Sequence, residues 1–456
     1  MEREMVRKSF DGIYLEEYLD KLNKKLSEHF ETVILNGYIQ YATRYRFSNT
    51  KLDLVKTLFS DFIEIFVAKG DKYLTQKITN VSTRDIDGVV EELKKLYEVS
   101  SPTEDKYVPP DISKDYYEII PGTFSDEVFN EDVHFDFVEN ILSYKGRNTR
   151  RLSGIFSAEA EKHFIVTSYG VKGEMKNSDF LVRVRGFKDK ELSYTDVKVG
   201  VNIKPDDVSG LLENIDYMLG MVEYVSPVDE GVYNIVFSPQ SYANLINYLG
   251  YMLSGYSYAR NMSSLSGLLG EEIASKDVYV YDNPRMEGSL DATCFDEEGV
   301  ETGKTEYFVD GVFNDLALNT LTAKKLDRES NGHAGIISPF PYPLVFEVKS
   351  PVETDPEEVF KELGEGIYIS NVWYTRFANF RLGTMSTLQR DLGFYIDDGK
   401  VKGGFTGARL SLTIKDLVSK VIFASKAEEW VKPWDVWVPS RVGFVALQDV
   451  EVTTGF

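Results

Sequence analysis

Apolar residues recur at three- and four-residue intervals along some stretches of the chain and alternate along others, marking out helices and strands in turn. Leu15, Tyr18, Leu19, Leu22 and Leu26 share one helical face. Phe62 to Val67, a Lys69-Gly70-Asp71 turn and Tyr73 to Ile78 predict a β-hairpin. Ser82 and Asp85 form a capping-box-like pair ahead of a helix carrying Ile86, Val89, Val90, Leu93 and Leu96. From Ser100 to Gly122 the rhythm lapses, and Pro102, Pro109, Pro110 and Pro121 predict a long connection between subdomains. A helix near Asp126 to Leu142 follows, then strands near His163 to Thr167, Phe180 to Arg185 and Ser193 to Val199. Val208, Leu211, Leu212, Ile215, Met218 and Leu219 then line one stripe of a further helix.

Pro227 marks a boundary, which predicts an N-terminal α+β domain over 1–225, divisible near 100–122, and a C-terminal domain over 226–456. The second opens with a strand, Tyr233 to Phe237, and a helix started by Ser238-Pro239. Leu245, Ile246, Leu249, Met252 and Leu253 form the apolar stripe of that helix. Two hairpins are expected downstream, Tyr307 to Phe313 turning at Asp310-Gly311 and Phe394 to Val401 turning at Asp398-Gly399. The fold class is α+β: a mixed α/β N-terminal region followed by a β-rich C-terminal domain with one prominent amphipathic helix.

Composition narrows the functional classes. With 456 residues, 43 % of them hydrophobic, the chain can bury more than one core. Its formal net charge of −22 repels phosphate backbones and anionic membranes, so nucleic acid is not an expected partner. No apolar run is long enough to span a bilayer, and Met1-Glu2-Arg3-Glu4-Met5 lacks the apolar core of a signal peptide. A cytoplasmic location is expected.

Candidate chemistry is sparse. The single cysteine, Cys294, excludes an intrachain disulfide and a multi-cysteine zinc cluster, and reads as a small packed residue. His29, His134, His163 and His333 have no helical pair spacing and read as surface or hydrogen-bonded residues. Gly299-Val300-Glu301-Thr302-Gly303-Lys304-Thr305 is one residue short of a phosphate-binding loop and lies between strands. The acidic groups Glu271-Glu272, Asp296-Glu297-Glu298 and Asp397-Asp398 read as solvated turns, because adjacent residues point to different faces.

One region carries a resemblance. Leu268-Leu269-Gly270 leads to Asp277-Val278-Tyr279-Val280-Tyr281-Asp282-Asn283-Pro284, then Gly288-Ser289, Phe295-Asp296-Glu297-Glu298-Gly299-Val300 and Asp310-Gly311-Val312. Leu318-Asn319-Thr320, Ala323-Lys324-Lys325-Leu326 and Asn331-Gly332-His333-Ala334-Gly335 follow. In order and spacing this resembles the TldD/PmbA family, the modulators of DNA gyrase, and its PmbA (TldE) branch in particular. Ser168-Tyr169-Gly170, Gly366-Ile367-Tyr368-Ile369 and Asp397-Asp398-Gly399-Lys400-Val401 extend the likeness over most of the chain.

The catalytic branch of that family carries His-Glu-x-x-x-His on a helix and a further Cys ligand near its C-terminus, a ligand set suited to zinc. The corresponding helix here, Tyr242-Ala243-Asn244-Leu245-Ile246-Asn247-Tyr248-Leu249-Gly250-Tyr251, has neither His nor Glu, and no Cys occurs from Asp435 to Phe456. The resemblance therefore implies a non-catalytic TldE/PmbA-like subunit of a two-subunit zinc metallopeptidase complex that processes or degrades unfolded peptides. No catalytic, cofactor or metal residues are assigned to this chain; zinc is expected in a TldD-like partner subunit, or the partner is a second copy. Tyr248, Tyr251, Tyr256, Trp373 and Tyr374 are the candidate peptide or interface contacts, with Tyr258, Phe377 and Phe380 beside them. The alternatives are a homodimeric peptide-binding protein without protease activity, and a metallopeptidase with a site rebuilt around scattered residues such as His163 and His333.

Overall fold

A computed structural model of the chain describes residues 10–190, 192–335, 337–436 and 438–454. The Met1 to Met5 segment, and Trp437, Gly455 and Phe456 of the Cys-free stretch, lie outside the described residues.

The first sheet is built from β1 (Thr32–Ser48), β2 (Lys51–Lys69), β3 (Lys72–Thr79), β4 (Asp115–Tyr116), β5 (Arg151–Thr167), β6 (Lys172–Phe187) and β7 (Ser193–Gly200). Its order is β3-β2-β1-β5-β6-β4, with β7 also paired to β6. Helices α1 (Ile13–Leu26), α2 (Ile86–Val99), α3 (Glu131–Ser143) and α4 (Pro205–Gly220) bury their apolar stripes against one face. Strand alternation sends Ile39, Tyr41 and Tyr45 of β1, Phe156, Ala158 and Phe164 of β5, and Phe180, Val182 and Val184 of β6 into that core. The intervening residues point to the opposite face, which forms the floor of the cleft described below.

The expected elements are found, with corrections at their ends. The hairpin expected from Phe62 begins eleven residues earlier, at Lys51, and β1 was not foreseen. Ser82 does not cap α2: it lies in a 3₁₀ turn, and the Asp85 carboxylate itself accepts the Gly88 N–H at 2.8 Å. The helix expected over Asp126 to Leu142 breaks at Asn130, whose extended backbone and side-chain oxygen cap α3. The connection from Ser100 to Gly122 joins parts of a single sheet rather than two subdomains, since β1 pairs directly with β5. Tyr107, Tyr116 and Ile120 anchor it against Ile34, Phe66, Cys294 and Phe295.

The remaining strands are β8 (Val225–Pro227), β9 (Gly231–Phe237), β10 (Val278–Asp282), β11 (Thr305–Val309), β12 (Val312–Phe313), β13 (Leu344–Val348), β14 (Gly366–Ile369), β15 (Val372–Asn379) and β16 (Thr384–Gln389). They continue as β17 (Gly393–Asp397), β18 (Lys400–Thr406), β19 (Ala408–Thr413), β20 (Val421–Ala424), β21 (Trp430–Val431), β22 (Ser440–Arg441) and β23 (Val445–Thr454). One sheet has the order β12-β11-β10-β13-β22-β21; the other runs β15-β16-β19-β23-β9-β14-β17-β18-β8, with β20 beside β23. Both expected hairpins close through left-handed pairs, Asp310 (φ 53°) with Gly311 (φ 85°) and Asp398 (φ 52°) with Gly399 (φ 66°), the conformation that favours Asp-Gly.

Helix α5 (Pro239–Leu253) lies between these sheets, touching β9 and β15 on one side and β13, β21 and β22 on the other. Its amphipathic reading is therefore only half right: Gln240, Ser241, Asn244 and Gly250 are buried along with the apolar stripe. The sheets divide near residue 225 but the core does not, because Phe360, Tyr368 and Phe394 pack in the same cluster as α4. Among the described residues no helix is long and apolar enough to cross a membrane.

Candidate functional site

The polar side chains of α5 are tied to the segments that frame the helix. Ser238 starts it, its hydroxyl accepting the Ser241 N–H at 3.1 Å, with Pro239 in the first turn. One turn on, the Asn244 amide donates to the Asp435 carboxylate, and its oxygen accepts the Thr375 hydroxyl at 2.5 Å. Asn247 donates to Ser440 Oγ at 3.1 Å and to the Ala243 carbonyl at 2.9 Å. Tyr248 donates to the Thr375 carbonyl. These donors are amides and hydroxyls with one carboxylate, and no imidazole or thiolate stands near them. That set does not fit zinc, which takes three or four N, S or carboxylate ligands. Among the described residues no three His, Cys, Asp or Glu side chains converge on a position suited to a metal ion.

Beyond Asp435 a cleft runs between the exposed face of the first sheet and the loops of the C-terminal half. It comprises adjoining cavities of about 480, 400 and 200 Å³ that share lining residues. The sheet register arranges its floor in cross-strand rows: Tyr38 with His163 and Met175, Gln40 with Glu161 and Asn177, Ala42 with Glu159 and Asp179. Tyr38 stacks on His163 at 4.4 Å, and Gln40 donates to Glu161 at 2.7 Å. Burial pushes His163 down to about 3, so the ring is neutral near pH 7, and it donates from Nε2 to Asn36 Oδ1 at 2.8 Å. Burial likewise pushes Asp179 up to about 7, with Lys432 opposing the shift.

Two buried carboxylates brace the wall beside this floor and correct the expectation of a solvated Asp296-Glu297-Glu298 turn. Asp296 accepts N–H groups of Glu298, Val300 and Ala334, each at 2.9 Å. Glu298 accepts the Thr320 N–H at 2.9 Å and hydroxyl at 2.5 Å, and the Tyr107 hydroxyl at 3.1 Å. Burial raises both, Asp296 further because Glu298 is charged beside it. The pair thereby staples the Tyr107 connection and the Thr320 and Ala334 loops together.

The residues expected to act are only partly brought together. Tyr248, Tyr251, Phe377 and Phe380 form one aromatic group, with Tyr248 and Phe377 rings 5.2 Å apart. Trp373 and Tyr374 form a second, joined by Trp434. Tyr374 is 51 % exposed and left-handed at a bulge in β15. Tyr256 belongs to neither group: it packs under Arg260 at 3.9 Å. Tyr258 packs on Phe313. His163 and His333 hold separate partners, His333 being fully buried with Asp282 at 2.9 Å, and Cys294 is buried and free. Asn244, Asp435, Arg183, Arg390 and the floor of β5 and β6 were not foreseen; the sequence trace of the floor is a partial alternation, Glu159, Glu161, Asp179 and Arg183 set between Ala158, Ala160, Phe180 and Val182, and broken by Lys162 and Leu181.

Residues 230–454 match the PmbA/TldA metallopeptidase C-terminal domain. A metalloprotease of Methanocaldococcus jannaschii is 23 % identical over 381 residues, covering 80 % of this chain and 82 % of that protein. Metalloprotease PmbA of Escherichia coli O157:H7 is 23 % identical over 191 residues, 41 % of this chain and 40 % of PmbA. The fold is that of TldE from Thermococcus kodakarensis, with a TM-score of 0.81 at 18 % identity, over 96 % of this chain and 100 % of that one. Residues 230–454 thus carry the C-terminal domain of the TldD/PmbA family, built around α5, within a fold shared almost end to end with a TldE.

Proposed function

We propose that the chain is the non-catalytic, TldE-like subunit of a cytoplasmic two-subunit zinc metallopeptidase complex that processes or degrades unfolded peptides. The observation that carries this reading is α5, whose polar side chains include Asn244, Asn247 and Tyr248, committed to Asp435, Thr375 and Ser440, and none of them a His or Glu. A metallopeptidase needs neutral imidazole or thiolate ligands and a carboxylate base around an open coordination position. None of those groups projects from this helix, so the zinc and the hydrolytic step belong to a partner that retains His-Glu-x-x-x-His. This subunit contributes a wall of the peptide-binding space, and the cleft beside Asp435 is that wall.

The test is metal content and activity with the chain alone and after co-purification with a zinc-bearing relative. Expected are near-zero zinc and no peptide cleavage for the chain alone, and a stable complex with one zinc per heterodimer whose cleavage depends on both subunits. One tightly held zinc on the isolated chain overturns the reading. A homodimer that binds peptides without a zinc-bearing partner would replace it with the homodimeric alternative.

A further inference from the structure

Next to the polar face of α5, the Arg390 guanidinium packs against two indoles, 5.2 Å from the ring centre of Trp373 and 4.8 Å from that of Trp434. Arg183 lines the adjoining cavity of about 480 Å³ and donates from Nη2 to the Lys432 carbonyl at 2.7 Å. Burial, and then the charge of Arg390, lowers Arg183 to about 10. Three donors of this group, Arg183 Nε, Arg390 Nε and Trp373 Nε1, are buried without an acceptor. Buried donors ordinarily have partners, so three together mark a place where an acceptor belongs.

The carboxylates at hand have hydrogen-bonding partners of their own, although the charges of Asp391 and Asp435 reach Arg390 and that of Asp435 reaches Arg183. Asp435 holds the Asn244 amide, Glu159 pairs with Arg44 at 2.8 Å, and Asp391 takes Arg185 at 2.7 Å. Asp179 lines the same cavity as Lys432, whose charge acts on it. In a chain of net charge −22 the cavity is locally balanced, Arg44, Arg183 and Lys432 against Glu159, Asp179 and Asp435, and it borders an apolar wall of Ile155, Leu181, Pro433 and Trp434. A small inorganic anion would leave that wall unused, whereas a peptide offers a carboxylate and a side chain together.

We propose that this basin binds a peptide carboxylate, with Arg183 and Arg390 as its charge-assisted donors and the apolar wall receiving the neighbouring side chain. Guanidinium groups suit the task because their planar forks match a carboxylate. The inference rests on the reading that the chain handles peptides, and it specifies which group they present. The carboxylate comes either from the peptide C-terminus or from an Asp or Glu side chain.

Isothermal titration calorimetry on the full chain with N-acetylated apolar hexapeptides decides the matter, using three forms: C-terminal acid, C-terminal amide, and amide with one internal Glu. The acid, or the Glu peptide, is expected to bind at least about tenfold more tightly than the plain amide, as one charge-assisted hydrogen bond supplies. Whichever carboxylate form binds identifies the source. Arg183→Gln and Arg390→Gln should each erase the difference between the carboxylate forms and the plain amide. Equal binding of all three forms overturns the carboxylate site while peptide handling stands; no binding of any form overturns both. Thermal melts verify that each variant folds, and either variant alone suffices to read the difference.

Discussion

Replacing Asn244 by alanine would strip Asp435 of its amide donor and leave the fully buried Thr375 hydroxyl facing a methyl group. Buried groups abandoned in this way cost about 1–3 kcal/mol, to be read as a lowered denaturant midpoint. Asn244→Asp is expected to cost more at pH 8 than at pH 4, since it sets two carboxylates against each other and only acid lets one take a proton. Equal losses at both pH values would mean that Asp435 has moved away. Asp179 supplies a second pH-dependent case. Its carboxyl is raised to about 7, chiefly by burial, against about 4 in an unfolded chain. The fold therefore holds this proton more tightly than the unfolded chain does: the contribution is complete below about pH 4 and is lost as pH rises through about 7. Asp179→Asn should flatten the decline in melting temperature between pH 5 and pH 8; parallel curves for variant and parent would remove Asp179 as a cause.

At the scale of elements, α5 shows both what could be read from sequence and what could not. Its start at Ser238-Pro239 and its stripe of Leu245, Ile246, Leu249, Met252 and Leu253 were legible because capping and period are local properties. The burial of Asn244 was not, because an asparagine that meets Thr375 and Asp435 more than a hundred residues away looks the same as one that meets water. Asp296 and Glu298 misled for the same reason: beside the local N–H groups of Glu298 and Val300, their donors come from Tyr107, Thr320 and Ala334. The Asp-Gly hairpins were found because their turns need left-handed backbone at two successive positions, a demand written in two residues. Much of β2 escaped because residues 51 to 60 are exposed on both faces, so no alternation of burial shapes their composition. Since α5 is packed between two sheets, Leu245→Ala should open a cavity that neither can close, costing about 2–5 kcal/mol. Urea unfolding is the measurement, and a loss below 1 kcal/mol would show that the sheets collapse onto the helix.

For the whole molecule, the division of labour runs between the halves: the first sheet offers a charged floor, the C-terminal half a wall, and the cleft between them the space where a peptide would lie. The fold class and the family were legible because they depend on ordered motifs over about two hundred residues, whereas the cleft depends on strand register and on loops from both halves meeting across it. One arrangement also bears on how the molecule is made. Strand β9, which leads into α5, sits between β14 and β23, and both neighbours are encoded far downstream. At about 5–20 residues per second, a ribosome that has finished α5 works for roughly 10–40 seconds more before residue 454 exists. During that wait a helix destined to be covered on nearly every side has nothing to cover it. All seven strands of the N-terminal sheet exist by then, so the nascent protein is a largely formed half trailing a sticky one, a client for any chaperone stationed at the exit tunnel.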